Sequence, residues 1–199
     1  MDKKIIAVSL AGVLISNSPW RLAHEFGMKE LAEKSGITEV AEAVDSPNYF
    51  EYVEKAIEKM YPDLTPEERI KKRRRIYLSR VVELLKNNLK INREVIDFFR
   101  SLKEDYILAL ITTNNEETMN KILGILGLSN FFDYAGFSYD EEKDDKLKVF
   151  ERLIGNIGKP FVLIENKEKL KSYCEANGIR HVRFDIDRED VSKLKEVLR

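Results

Sequence analysis

The chain has 199 residues, with 34 Lys+Arg against 35 Asp+Glu and a formal net charge of −1. A hydrophobic fraction of 43% excludes a wholly disordered chain, and charges of both signs, interspersed over 35% of the residues, exclude a nucleic-acid footprint. The single cysteine, Cys174, excludes an internal disulfide and a cysteine-built zinc site, and no apolar run approaches the ~20 residues of a membrane span.

The first apolar run, Lys4 to Leu10, holds Ser9 within it and is followed by Gly12 and the polar Ser16-Asn17-Ser18. That pattern suits a buried first strand of a cytoplasmic protein rather than a secretory leader. Residues 19–91 then read as helices with no convincing strand: Leu22–Lys34, Thr38–Val44, Asn48–Met60 and Pro66–Leu89. Thr65 is the expected N-cap of the last, with Pro66 in the first turn and Glu67-Glu68 at the positive end of the helix dipole. Its run Lys71-Lys72-Arg73-Arg74-Arg75 reads as a solvated face, beside an expected apolar stripe of Ile70, Tyr77, Val81 and Leu84.

Strands are expected again at Tyr106–Thr112, Tyr134–Ser138, Phe161–Glu165 and His181–Asp185. Ile107-Leu108-Ala109-Leu110-Ile111 does not alternate with polar residues, which implies a parallel sheet covered on both faces. The intervening helices are expected at Asn115–Leu126, Leu147–Ile157, Lys167–Ala176 and Val191–Leu198. The fold class is therefore α/β, a doubly wound parallel sheet formed by residues 1–18 and 92–199, with 19–91 inserted as a helical cap. His181, at the start of its strand, is expected away from the carboxyl ends where such sheets bind ligands.

Lys4-Ile5-Ile6-Ala7-Val8-Ser9-Leu10-Ala11-Gly12-Val13-Leu14 resembles the first motif of the haloacid dehalogenase (HAD) superfamily, an apolar strand followed by Asp-x-Asp-Gly-[Val/Thr]-Leu. Ser9 and Ala11 stand where that motif has its two aspartates. Thr112 or Thr113, in Ile111-Thr112-Thr113-Asn114, matches the second motif, and Lys143, Lys146 and Lys148 compete for the lysine of the third. Ile164-Glu165-Asn166, ahead of a helix ending at Asn177-Gly178, has the shape of the fourth.

The resemblance implies a Rossmann-like phosphohydrolase core with a helical cap. In the family the first aspartate is the nucleophile and the second the general acid/base. A serine nucleophile needs a neighbouring base, and Ala11 cannot be one. The family's Mg²⁺ would retain only Glu165 and Asn166 as side-chain ligands, so weak magnesium binding or none is expected. The anion-holding half is better kept: Gly12, Thr112, Thr113, Asn114 and either Lys143 or Lys146 are the candidate phosphate-binding residues. Thr112-Thr113-Asn114 suits helix capping equally well. The expected function is a catalytically impaired HAD-like protein that binds a small phosphorylated molecule or a protein partner, with no nucleic-acid or membrane partner. The alternative is an active HAD-type hydrolase working through unusual groups such as Ser9.

Overall fold

The computed structural model describes residues 3–42, 49–87, 92–139 and 145–198. Those residues fall into two compact units. Of the described residues, 3–17, 92–138 and 145–198 belong to one, and 18–42, 49–87 and 139 to the other.

The first unit is built on five parallel strands: β1 (Lys4–Ser9), β2 (Tyr106–Ile111), β3 (Tyr134–Gly136), β4 (Val162–Glu165) and β5 (Arg180–Arg183), in the order β3-β2-β1-β4-β5. β1 lies centrally because it is apolar on both faces. Ile5, Ala7, Ala109, Ile111 and Leu163 share one core with Val149, Phe150, Leu153, Leu170 and Cys174. Ile6, Val8, Leu108, Leu110, Val162 and Ile164 alternate to the opposite face and are equally buried. Neither face is left to water, which is why the strands read as continuous apolar runs.

The helices of chain order are α1 (Ser18–Ser35), α2 (Glu39–Glu42), α3 (Tyr49–Met60), α4 (Pro66–Asn87), α5 (Arg93–Leu102), α6 (Glu116–Ile125), α7 (Lys146–Ile157), α8 (Lys171–Ala176) and α9 (Val191–Leu198). In the helical unit, Met28, Leu31, Val40, Val53, Ala56 and Ile57 form the core. α4 opens on a reciprocal capping box: the Thr65 N–H donates to Glu68 Oε2 (2.8 Å) and the Glu68 N–H to Thr65 Oγ1 (3.3 Å).

Three features differ from the sequence expectation. The buried stripe of α4 is Arg74, Leu78, Val81 and Leu85, spaced four, three and four, so Ile70, Tyr77 and Leu84 form its half-buried flanks. α5 had no counterpart in the sequence reading, although Asn92 caps it by accepting from the Val95 N–H and Val95, Ile96 and Phe99 are buried at helical spacing. The helix after β4 starts at Lys171 rather than Lys167, because the Leu170 N–H turns back to Glu165 Oε1 (3.2 Å) instead of joining a helix. Among the described residues, no helix is long and apolar enough to cross a membrane.

Candidate functional site

Ser9 ends β1, Thr112 follows the last residue of β2, and Glu165 ends β4. Ser9 pairs in register with Ile111, and Val8 with Ile164, so the three residues stand side by side at the carboxyl ends of adjacent strands. All three are buried, Glu165 completely.

A buried carboxylate needs partners on both oxygens. Lys146 provides the charge. Asp145 caps α7 by accepting from the Lys148 N–H (3.2 Å), which makes Lys146 the first residue of the helix. From there the ammonium donates to Glu165 Oε2 at 2.5 Å and to Ser9 Oγ at 2.7 Å. Glu165 Oε1 takes the Leu170 N–H (3.2 Å) and lies 3.0 Å from His181 Nε2. Burial pushes the Lys146 pKa below the ordinary lysine value, with the Glu165 carboxylate opposing it.

His181 corrects the sequence reading. It sits two residues before Arg183, the register partner of Glu165, and on the same face of the sheet. Its ring therefore reaches along β5 to the Glu165 carboxylate. The signal was the strand parity combined with a parallel register, neither of which is visible before the strands are paired.

Gly12 has φ +79 and closes a tight turn, donating to the Ile15 carbonyl (2.7 Å) and accepting from the Ile186 N–H (2.9 Å). A Cβ at Gly12 would lie 2.3 Å from Asn166 Nδ2 and 2.5 Å from Asn17 Nδ2, so only glycine lets Asn166 close over the turn. Thr112 Oγ1 accepts from the Asn114 N–H (3.2 Å), and Asn115, not the Thr112–Asn114 stretch, caps α6. Thr113 and Asn114 are half-buried beside it. The competing Lys148 is exposed on α7, and Lys143 lies outside the described residues.

These donors do not fit a magnesium ion. Ser9 Oγ and both Glu165 oxygens are engaged with N–H donors, Ala11 offers no side-chain oxygen, and Asn166 brings a neutral amide. Among the described residues, no group of three or more His, Cys, Asp or Glu is placed to hold a metal.

A family model for haloacid dehalogenase-like hydrolases matches residues 22–155. The chain belongs to that family. Its fold recurs in a HAD phosphatase from Thermococcus onnurineus, with a TM-score of 0.63 and 16% identity over 98% of this chain and 97% of that one. A predicted HAD-like family hydrolase from Porphyromonas gingivalis gives 0.61 and 17% over 99% and 98%. A haloacid dehalogenase-like family protein from Streptococcus pneumoniae gives 0.60 and 16% over 91% and 84%. At these identities the likeness is one of fold. No curated protein matches the chain.

Proposed function

We propose that this HAD-fold chain binds a phosphorylated ligand at the carboxyl edge of its sheet without hydrolysing it. The observation that carries the reading is the Lys146 ammonium, held between Ser9 and Glu165 where the family's phosphoryl chemistry takes place. While Lys146 is protonated, Ser9 accepts a hydrogen bond from its ammonium, and a protonated lysine cannot take the serine proton. Ala11 supplies no acid for a leaving group. Glu165 is engaged with Lys146, His181 and a backbone N–H, which leaves it no part in proton transfer. What remains is suited to holding an anion: one ammonium and the Thr112 hydroxyl, while the Gly12 and Asn114 N–H groups are bonded within their own turns.

Two measurements test this. With Mg²⁺ and small phosphomonoesters, the protein should show no turnover above background. Inorganic phosphate, without metal, should raise the melting temperature. Ligand at 100 times its dissociation constant stabilises by ≈ 2.7 kcal/mol, or roughly 5–10 °C for a chain of this size. Thr112→Val and Lys146→Met should each reduce that shift. Magnesium-dependent turnover gained by Ser9→Asp with Ala11→Asp, and absent from the native chain, would support the reading. Turnover by the native chain that Ser9→Ala abolishes would replace it with a serine-dependent hydrolase. If millimolar phosphate gives no shift, the anion site falls, and a protein partner becomes the function to pursue.

A further inference from the structure

We infer that His181 is a positioning residue, which fixes Glu165 and through it the Lys146 ammonium at the edge of the sheet. The chain of contacts is His181 Nε2 to Glu165 Oε1 at 3.0 Å, Glu165 Oε2 to Lys146 Nζ at 2.5 Å, and Lys146 Nζ to Ser9 Oγ at 2.7 Å. It joins β5, β4, α7 and β1 in one line of side chains.

Glu165 has two flexible torsions before its carboxylate, and its position decides where Lys146 rests. The Leu170 N–H holds Oε1 from one side. That single bond leaves the carboxylate free to pivot about it. His181 supplies a second anchor to the same oxygen, from a ring that is itself 6% exposed and packed in place. Two fixed donors on Oε1 orient Oε2 toward α7, and the ammonium follows. The ring spans the two-residue offset along the strand, about 6.6 Å. An acceptor carboxylate facing Nε2 requires the proton on that nitrogen, since the other tautomer would set two lone pairs against each other.

The anion-binding arm of the test rests on the function proposed above; the spectroscopic arms do not. An ammonium held by two hydrogen bonds in a buried site exchanges its protons slowly. In the unliganded full-length chain it should give a protected side-chain 1H–15N signal, assigned by its loss in Lys146→Met. The signal should persist in His181→Gln, which keeps an N–H donor, and broaden away in His181→Phe. Histidine 15N spectra of the native chain should show His181 Nε2 carrying a proton. The phosphate dissociation constant should rise roughly tenfold in His181→Phe, the factor carried by one hydrogen bond to a charged group, and by much less in His181→Gln.

A signal unchanged in His181→Phe, one absent from the native chain, or one lost equally in both variants overturns the inference. So does a native His181 whose Nε2 carries no proton. Should His181→Phe fail to fold, the native tautomer and the His181→Gln signal still decide. If the spectra behave as expected and phosphate does not bind, the anion site is refuted while the positioning role stands.

Discussion

Lys146→Met isolates the interaction on which the edge of the sheet depends. It keeps the side-chain length, removes the charge, and leaves a carboxylate with 0% exposure facing an apolar methyl. Removing one partner of a buried ion pair costs ~3–5 kcal/mol. Two features place this case at the lower end. The Lys146 side chain retains 19% exposure, so water partly screens the pair. The Leu170 N–H and His181 also remain on Glu165 after the change. The expected loss is about 3 kcal/mol, which lowers the melting temperature by roughly 6–12 °C at this chain length. Scanning calorimetry reads this shift. Adding Glu165→Gln to Lys146→Met removes the stranded charge and should recover most of the loss, because a buried pair replaced on both sides is close to neutral. The interaction energy from the double-mutant cycle should reach at least ~1.5 kcal/mol.

The pH dependence gives an independent reading of the same lysine. Its folded pKa lies below 10.5. Between that lowered value and 10.5 the unfolded chain binds a proton that the folded chain has shed, so this group makes stability climb as pH rises through the window. Lys146→Met should lack that climb. A Lys146→Met chain within 1 kcal/mol of native stability, or one that Glu165→Gln fails to improve, would refute the reasoning (the threshold is roughly a third of the expected loss).

Gly12→Ala places a Cβ 2.3 Å from Asn166 Nδ2 and 2.4 Å from Asn166 Cγ at a φ of +79, and should cost about 2–4 kcal/mol in urea denaturation. In an Asn17→Ala, Asn166→Ala background the steric share should shrink while the backbone share persists, and a cost unchanged by that background argues against the clash. Cys174 is buried, and burial pushes its thiol pKa from 9.0 up to about 11, with Glu165 and Glu175 adding to it. The folded chain should therefore resist alkylation at pH 8 until denatured. The same thiol should make stability fall as pH rises from 9.0 through about 11, a slope that Cys174→Ala removes.

The strands were legible because a doubly covered parallel sheet leaves no polar alternation, and Ile107 to Ile111 carries that signature alone. α6 and α7 were legible through Met119, Ile122 and Leu123, and through Val149, Phe150 and Leu153, which the structure buries. α5 was not seen, since its signals are a single capping asparagine and three buried residues in a short helix. The start of α8 was misplaced for a different reason. Lys167 to Leu170 carries no helix-breaking residue, and the Leu170 N–H is taken by the Glu165 side chain rather than by a helical carbonyl. In the site, motif order put Ser9, Thr112 and Glu165 at neighbouring strand ends, where they are found. Sequence could not separate Lys143, Lys146 and Lys148. The Asp145 cap, which sets Lys146 at the first position of α7, is what brings that lysine to Glu165. Its place along its own strand sets His181 away from the carboxyl edge, and only the register to β4 brings its ring to Glu165.

The balance of charge at this edge bears on how strongly it binds anything. Lys146 is the cation on Ser9, and Glu165 already neutralises it at 2.5 Å. An anion approaching Lys146 to 4 Å gains about 4 kcal/mol at an effective dielectric of 20, and repulsion from Glu165 a little farther away removes most of it. Net attraction then has to come from what Lys146 retains and from the Thr112 hydroxyl, which acts over a hydrogen-bond length. On the proposed reading, affinity for simple phosphate is therefore modest, and discrimination between ligands falls to the groups that surround the phosphoryl moiety. Glu165→Gln tests this balance of charges. It loses the anchor on Lys146, worth roughly tenfold, but also the repulsion that offsets most of an attraction of about 4 kcal/mol, so phosphate should bind more tightly to that variant than to the native chain. Equal or weaker binding would mean that Glu165 serves the site by holding the ammonium in place more than it opposes the anion by its charge.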